Sequence, residues 1–222
     1  CGVIAGSGTH TYAGGVIYSD GGDINIYGGK LQYKMDSTKV VFNGGVIASY
    51  GTVNIYGGIL DGSAYYVPET DPDTTRTVSY RGGAVYLGTN KTLNMTGGAV
   101  LGGEAWTGGA LFTPTSDNIR VTGGHFIGGS SNYDGTDAGG GNIHLYATSS
   151  NTGTAQFANC AITGGSVITA KGGGNLLATN YTAEIENSFI AYGTTGGYGG
   201  NLVASTGGIL NITDSIVYGG HS

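Results

Sequence analysis

One separation recurs seven times in this chain. Ile26, Ile55, Met95, Val121, Phe157, Ile185 and Ile212 are each followed five positions later by another apolar residue: Leu31, Leu60, Val100, Phe126, Ile162, Ile190 and Val217. Between the members of every pair lies a short stretch containing glycine, asparagine or aspartate, as in Asn25-Ile-Tyr-Gly-Gly and Asn94-Met-Thr-Gly-Gly. The distance from one pair to the next, read on the second column, is 29, 40, 26, 36, 28 and 27 residues. A fixed step inside each unit with free variation between units describes a repeat array whose constant part is structural and whose variable parts are loops.

A third apolar column, Ile17, Ile47, Val85, Leu111, Ile143, Leu176 and Leu202, follows the glycine doublets and triplets, so each unit has three anchors. The anchors sit in alternating stretches such as Thr-Val-Asn-Ile-Tyr (52–56) and Thr-Leu-Asn-Met-Thr (92–96). A period of two reads as strand. No stretch of ten residues carries a helical stripe with caps, and glycine at 47 of 222 residues would destabilise any helix. These features predict an all-β parallel β-helix: one solenoid domain over residues 1–222, about seven coils of three strands, with no helices of note. Coils stack about 4.8 Å apart. Each anchor packs on its equivalents above and below, since one coil cannot bury its own apolar face.

Two polar columns carry the turns. The first bend position after the second strand holds Gly28, Gly57, Gly97 and Gly123, then Asn159, Asn187 and Asp214. These residue types tolerate a left-handed backbone, so the column is expected to be the left-handed corner. Ahead of the first-strand anchors stand Val16, Val46, Ala84 and Ala110, then Asn142, Asn175 and Asn201. The three asparagines are read as a ladder of side-chain amides, each bonding its neighbours, with three solvated turn residues as the competing reading.

Gly-Gly-Val-Ile (44–47), Gly-Gly-Ala-Val (82–85), the two-residue bend and the asparagine columns resemble right-handed parallel β-helix proteins. That superfamily includes pectate lyases, tailspikes and many bacterial surface adhesins. The Gly-Gly-Ala element also resembles the repeat of chlamydial polymorphic outer-membrane proteins. Their companion Phe-x-x-Asn element is not matched here, because Phe157-Ala-Asn has its Asn one place early. The resemblance implies the fold. It selects no single activity, since such folds host many.

Composition narrows the partners. Only 10% of residues are charged and the formal net charge is −6, which argues against nucleic acid. No run of about 18 apolar residues is present to form a membrane-spanning helix. The chain opens on Cys1 rather than Met, begins at a bend and ends just after a third strand, with no cap. It is therefore read as a piece of a longer chain or assembly, with further coils or a partner expected at its ends. Cys1 and Cys160 lie about five coils apart, too far to pair with each other. Cys160 is read as a packed turn thiol and Cys1 as a residue able to bond another chain.

Candidate chemistry is sparse. Glu184 and Glu186 flank inward Ile185 and form the one paired-acid candidate, with an ordinary solvated strand as the competing reading. Glu69, Asp71 and Asp73 in the long 61–84 connection have oxygen ligands suited to Ca²⁺, against a simple acidic loop. Tyr18, Tyr86 and Phe112 occupy outward first-strand positions and are candidates for a sugar-contact face. Asn94 and Asn211 head sequons and point outward as candidate glycosylation sites. The histidines have no metal spacing, and no cofactor is implied. The function expected is an extracellular or cell-surface structural or adhesive β-helix: a rigid spacer or filament component whose partners are other chains of a surface structure, itself end to end, or glycans. The alternatives are a carbohydrate-active lyase or hydrolase and a non-catalytic sugar-binding module.

Overall fold

The computed structural model describes residues 13–34, 41–63, 81–114, 118–132, 139–148, 153–168 and 172–222. Three seven-stranded sheets run along the molecule, and in each the strands follow chain order. The first sheet runs from Ile17–Ser19 to Leu202–Ser205, the second from Ile24–Ile26 to Ile209–Thr213, and the third from Lys30–Gln32 to Ile216–Tyr218. All pairings are parallel. The chain is a parallel β-solenoid of seven rungs, or about six turns, and no helix occurs among the described residues.

Register follows the apolar columns. Ile26, Ile55, Met95, Val121, Phe157, Ile185 and Ile212 are direct partners in the second sheet. Leu31, Leu60, Val100, Phe126, Ile162, Ile190 and Val217 are partners in the third. All of them except Ile212 and Val217 join the first-sheet anchors in a single core along the solenoid interior. A one-residue slip would turn each anchor outward, so burial fixes the register. Variation in length is confined to the connections between strands, where it does not disturb the stack.

The corner differs from the expected one. In the first four rungs the left-handed residue is the second glycine of the doublet: Gly29 (φ 84°), Gly58 (92°), Gly98 (88°) and Gly124 (99°). Gly28, Gly57, Gly97 and Gly123 do not have left-handed φ values. In the last three rungs it is Asn159 (51°), Asn187 (44°) and Asp214 (47°), one position earlier in register. The glycine φ values lie beyond the αL well that L-residues visit, whereas 44–51° lies at its near edge. The rungs therefore use two bends in one place, a Gly-Gly turn and a single Asx corner, the latter reinforced where Asn187 Nδ2 donates to Asn159 Oδ1 at 2.6 Å.

A fourth sheet was not anticipated. Glu104–Ala105, Ser130–Ser131, Ser166–Val167 and Thr194–Thr195 pair in parallel beyond the third strand. A second glycine doublet (Gly102-Gly103, Gly128-Gly129, Gly164-Gly165) precedes three of these strands and is the sequence signal for them.

Gly28 and Gly29 separate backbone strain from crowding, because a Cβ at either would meet nothing within 4 Å. Only Gly29 has a left-handed φ. Gly29→Ala is expected to cost about 1–2 kcal/mol, while Gly28→Ala is neutral or slightly stabilising. Urea unfolding, together with amide exchange over the Tyr27–Leu31 bend, checks the difference.

Candidate functional site

The inner asparagines form a continuous buried network. Asn142 Nδ2 donates to Asn175 Oδ1, and Asn175 Nδ2 donates to Asn201 Oδ1, both at 2.8 Å. The same amide nitrogens donate to the carbonyls of Thr163, Ala191 and Tyr218 at the ends of third-sheet strands. Their oxygens accept the backbone N–H groups of Gly129, Gly165 and Gly193, just before the fourth-sheet strands. Asn175 thus makes four bonds, its full capacity. The ladder begins where the column changes from alanine to asparagine, and each asparagine ties the corner that feeds a fourth-sheet strand. Asn175→Ala would orphan two backbone groups and two neighbouring amides in the interior. It is expected to cost at least about 3 kcal/mol, read as a lowered urea midpoint.

On the outside, the three long faces differ in chemistry. The first sheet carries a file of aromatic rings. Tyr18, Tyr50 and Tyr86 follow one another with centroids 6.1 Å apart at each step. Tyr86 lies parallel to Phe112 at 6.0 Å, and Phe112 meets His144 edge-on at 5.5 Å. His144 in turn meets Tyr146 at 5.7 Å, and the Arg81 guanidinium lies 4.8 Å from the Phe112 ring centre. The middle of this file is not open to a ligand. Phe112 is 1% exposed and Tyr86 8%, and His144 is fully buried. Of the three residues expected to form a sugar-contact face, only Tyr18, at 49%, is open. The cause is physical: the outward positions of this sheet are apolar enough to form a second small core of their own.

His144 is the one strongly perturbed group there. Thr107 Oγ1 donates to the Gly139 carbonyl at 3.0 Å, so it accepts from His144 Nδ1, and Nε2 faces Thr179 Oγ1 at 3.4 Å. Burial first, and the Arg81 charge second, hold its pKa down at about 3, against an ordinary 6.5. In the unfolded chain it takes up a proton below about pH 6.5, which the folded protein refuses until near pH 3. Stability therefore falls as pH drops through that window, by up to a few kcal/mol. The difference in unfolding midpoint between wild type and His144→Leu, followed from pH 7 to 4.5, is expected to shrink as the solution is acidified.

The second sheet faces solvent in the ordinary way, with Asn, Thr, Gln, Arg and Glu outward. Asn54 Nδ2 donates to Asn25 Oδ1 and Asn94 Nδ2 to Asn54 Oδ1, at 2.9 and 2.8 Å. Tyr27 and Tyr56 stack beside them at 4.9 Å and 8°. Asn94 and Asn211, the candidate glycosylation positions, both have amide nitrogens engaged, Asn211 with Glu184 Oε1 at 2.9 Å. Glu184 and Glu186 share this face, on the strand Tyr181–Glu186. The Glu184 carboxylate is thus part of the cross-rung polar ladder.

The third sheet is apolar outward as well as inward. Its outward positions after the first two rungs are Ala99, Leu101, His125, Ile127, Ala161, Thr163, Phe189, Ala191, Ile216 and Tyr218. In the first two rungs Lys30 and Asp61 form an ion pair at 2.8 Å.

Glu69, Asp71 and Asp73 lie outside the described residues, as does Cys1. Among the described residues no group of three metal-binding side chains is assembled. Cys160 is buried against Ser188 Oγ at 3.5 Å, and burial raises its thiol pKa. Among the described residues no helix is long and apolar enough to cross a membrane. Comparison with known proteins found no family model, curated protein or solved structure that matches this chain.

Proposed function

We propose that this β-solenoid is a structural or adhesive element of a cell surface or extracellular structure, serving as a rigid spacer or filament component. The observation that carries the reading is the unbroken stacking. Seven rungs keep one register in three sheets, and three polar ladders (Asn25–Asn54–Asn94, Asn142–Asn175–Asn201 and Asn159–Asn187) run along it. Such side chains bond rung to rung and stiffen the long axis. The elements that resemble pectate-lyase-like and surface-adhesin repeats favour the same setting.

Electron microscopy of surface material labelled through this protein tests the proposal, with an assay for polysaccharide cleavage alongside. The expected result is straight rods at the surface and no cleavage. Polysaccharide cleavage lost in Glu184→Gln would overturn the structural reading in favour of an enzyme.

A further inference from the structure

On the outer face of the second sheet, the first two rungs place tyrosine where the later rungs have Thr96, Thr122, Ala158, Glu186 and Thr213. Tyr27 and Tyr56 each follow a member of the paired isoleucines Ile26 and Ile55. Their ring centroids are 4.9 Å apart, the planes are 8° from parallel, and the residues stand 76% and 47% exposed. The backbone fixes this juxtaposition from both sides. The Tyr56 N–H donates to the Ile26 carbonyl and the Ile59 N–H to the Gly29 carbonyl, each at 2.8 Å. Two residues before the rings, Asn54 Nδ2 donates to Asn25 Oδ1. Tyr18–Tyr50, Tyr50–Tyr86 and Tyr192–Tyr218 meet edge-on instead, at interplanar angles of 66°, 61° and 88°. Tyr27 and Tyr56 therefore combine three conditions for radical coupling: two phenols in register, rings side by side and access from solvent.

We propose that Tyr27 and Tyr56 are a site of oxidative cross-linking, joined as a dityrosine by a haem peroxidase with hydrogen peroxide as the oxidant. Each phenol gives up one electron and its hydroxyl proton. The two phenoxyl radicals carry spin on the ring carbons ortho to oxygen, and a carbon–carbon bond forms between one such carbon of each ring. The hydrogen on each newly bonded carbon then passes to that ring's own oxygen by way of water, which restores both phenols. In all, two hydrogen atoms leave the protein and one molecule of hydrogen peroxide becomes two of water. Holding both radicals on one scaffold makes the coupling unimolecular, which favours it over coupling between molecules. The torsion that turns a tyrosine ring is broad, so exposed rings can bring their ortho carbons together while the core stays in place. The product staples the first rung to the second. It closes the chain between residues 27 and 56 into a covalent loop, which restricts the unfolded state as a disulfide does. The link forms within the isolated chain and does not rest on the structural role proposed above.

Treatment of the dilute folded protein with peroxidase and hydrogen peroxide tests the site. The wild type is expected to gain dityrosine fluorescence at the monomer mass less two hydrogen atoms, and its digest should contain the Tyr27 and Tyr56 peptides joined to each other. Tyr27→Phe and Tyr56→Phe each keep an aromatic ring and remove the phenol, so both should lose that product. Tyr198→Phe, which removes another exposed tyrosine, should keep it. The linked wild type should unfold at a higher urea midpoint than untreated protein, and the treated Tyr27→Phe variant should show no such rise. Absence of the link in folded wild type, a yield at Tyr27–Tyr56 no greater than at other tyrosine pairs, or products joined only between molecules would each overturn the inference. So would fluorescence that persists undiminished in Tyr27→Phe, or a link that leaves the midpoint unchanged.

Discussion

Everything in this molecule depends on rung-to-rung stacking in register. A single coil of three short strands has no interior. Its apolar residues are covered by those of the rungs above and below, and its strand backbone groups find their partners in neighbouring rungs. Core, ladders and corners are consequences of that one periodicity. Position 26 of the first rung, an isoleucine, is followed along the axis by Ile, Met, Val, Phe, Ile and Ile, side chains of different size that share only an apolar character. Stacking therefore tolerates exchange within a column but not displacement of the column.

This explains why most of the fold could be read from the chain. The constant five-residue step from Ile26 to Leu31, and from each later equivalent, states the geometry of a corner that every rung must turn. What could not be read was the φ assignment inside that corner. Gly28 and Gly29 look alike as letters, and the three-dimensional bend decides which of them turns left-handed. The fourth sheet was missed for a related reason. Its strands are two residues long and too short to show alternation, so only the second glycine doublet announced them. The asparagine ladder was legible as a column, whereas its connection to the fourth sheet, through the N–H groups of Gly129, Gly165 and Gly193, was not.

Outward positions were harder to read than inward ones. Alternation identifies which residues leave the core but not what covers them afterwards. Phe112 and Tyr86 leave the interior of the solenoid and enter a second, smaller core, with His144 neutral beside them. Tyr27 and Tyr56 leave it and meet solvent. Glu184 faces outward as a candidate acid and is tied to Asn211. Fold and function thus rest on different residues. The inward columns define the solenoid, while its three outer faces differ in chemistry: one polar, one covered and one apolar and partly exposed.

The central claim is the parallel register, and engineered disulfides test it most directly. With Cys1 and Cys160 replaced by serine, cysteines at Arg120 and Gln156 would sit on outward, directly paired positions 36 residues apart in the chain. Facing Cα atoms about 4.8 Å apart are within disulfide reach. The account predicts that Arg120→Cys/Gln156→Cys oxidises fully in the folded protein, while Arg120→Cys/Ala158→Cys, displaced by two residues along the strand, does not. Equal oxidation of the two pairs, or preferential oxidation of the displaced pair, would contradict it.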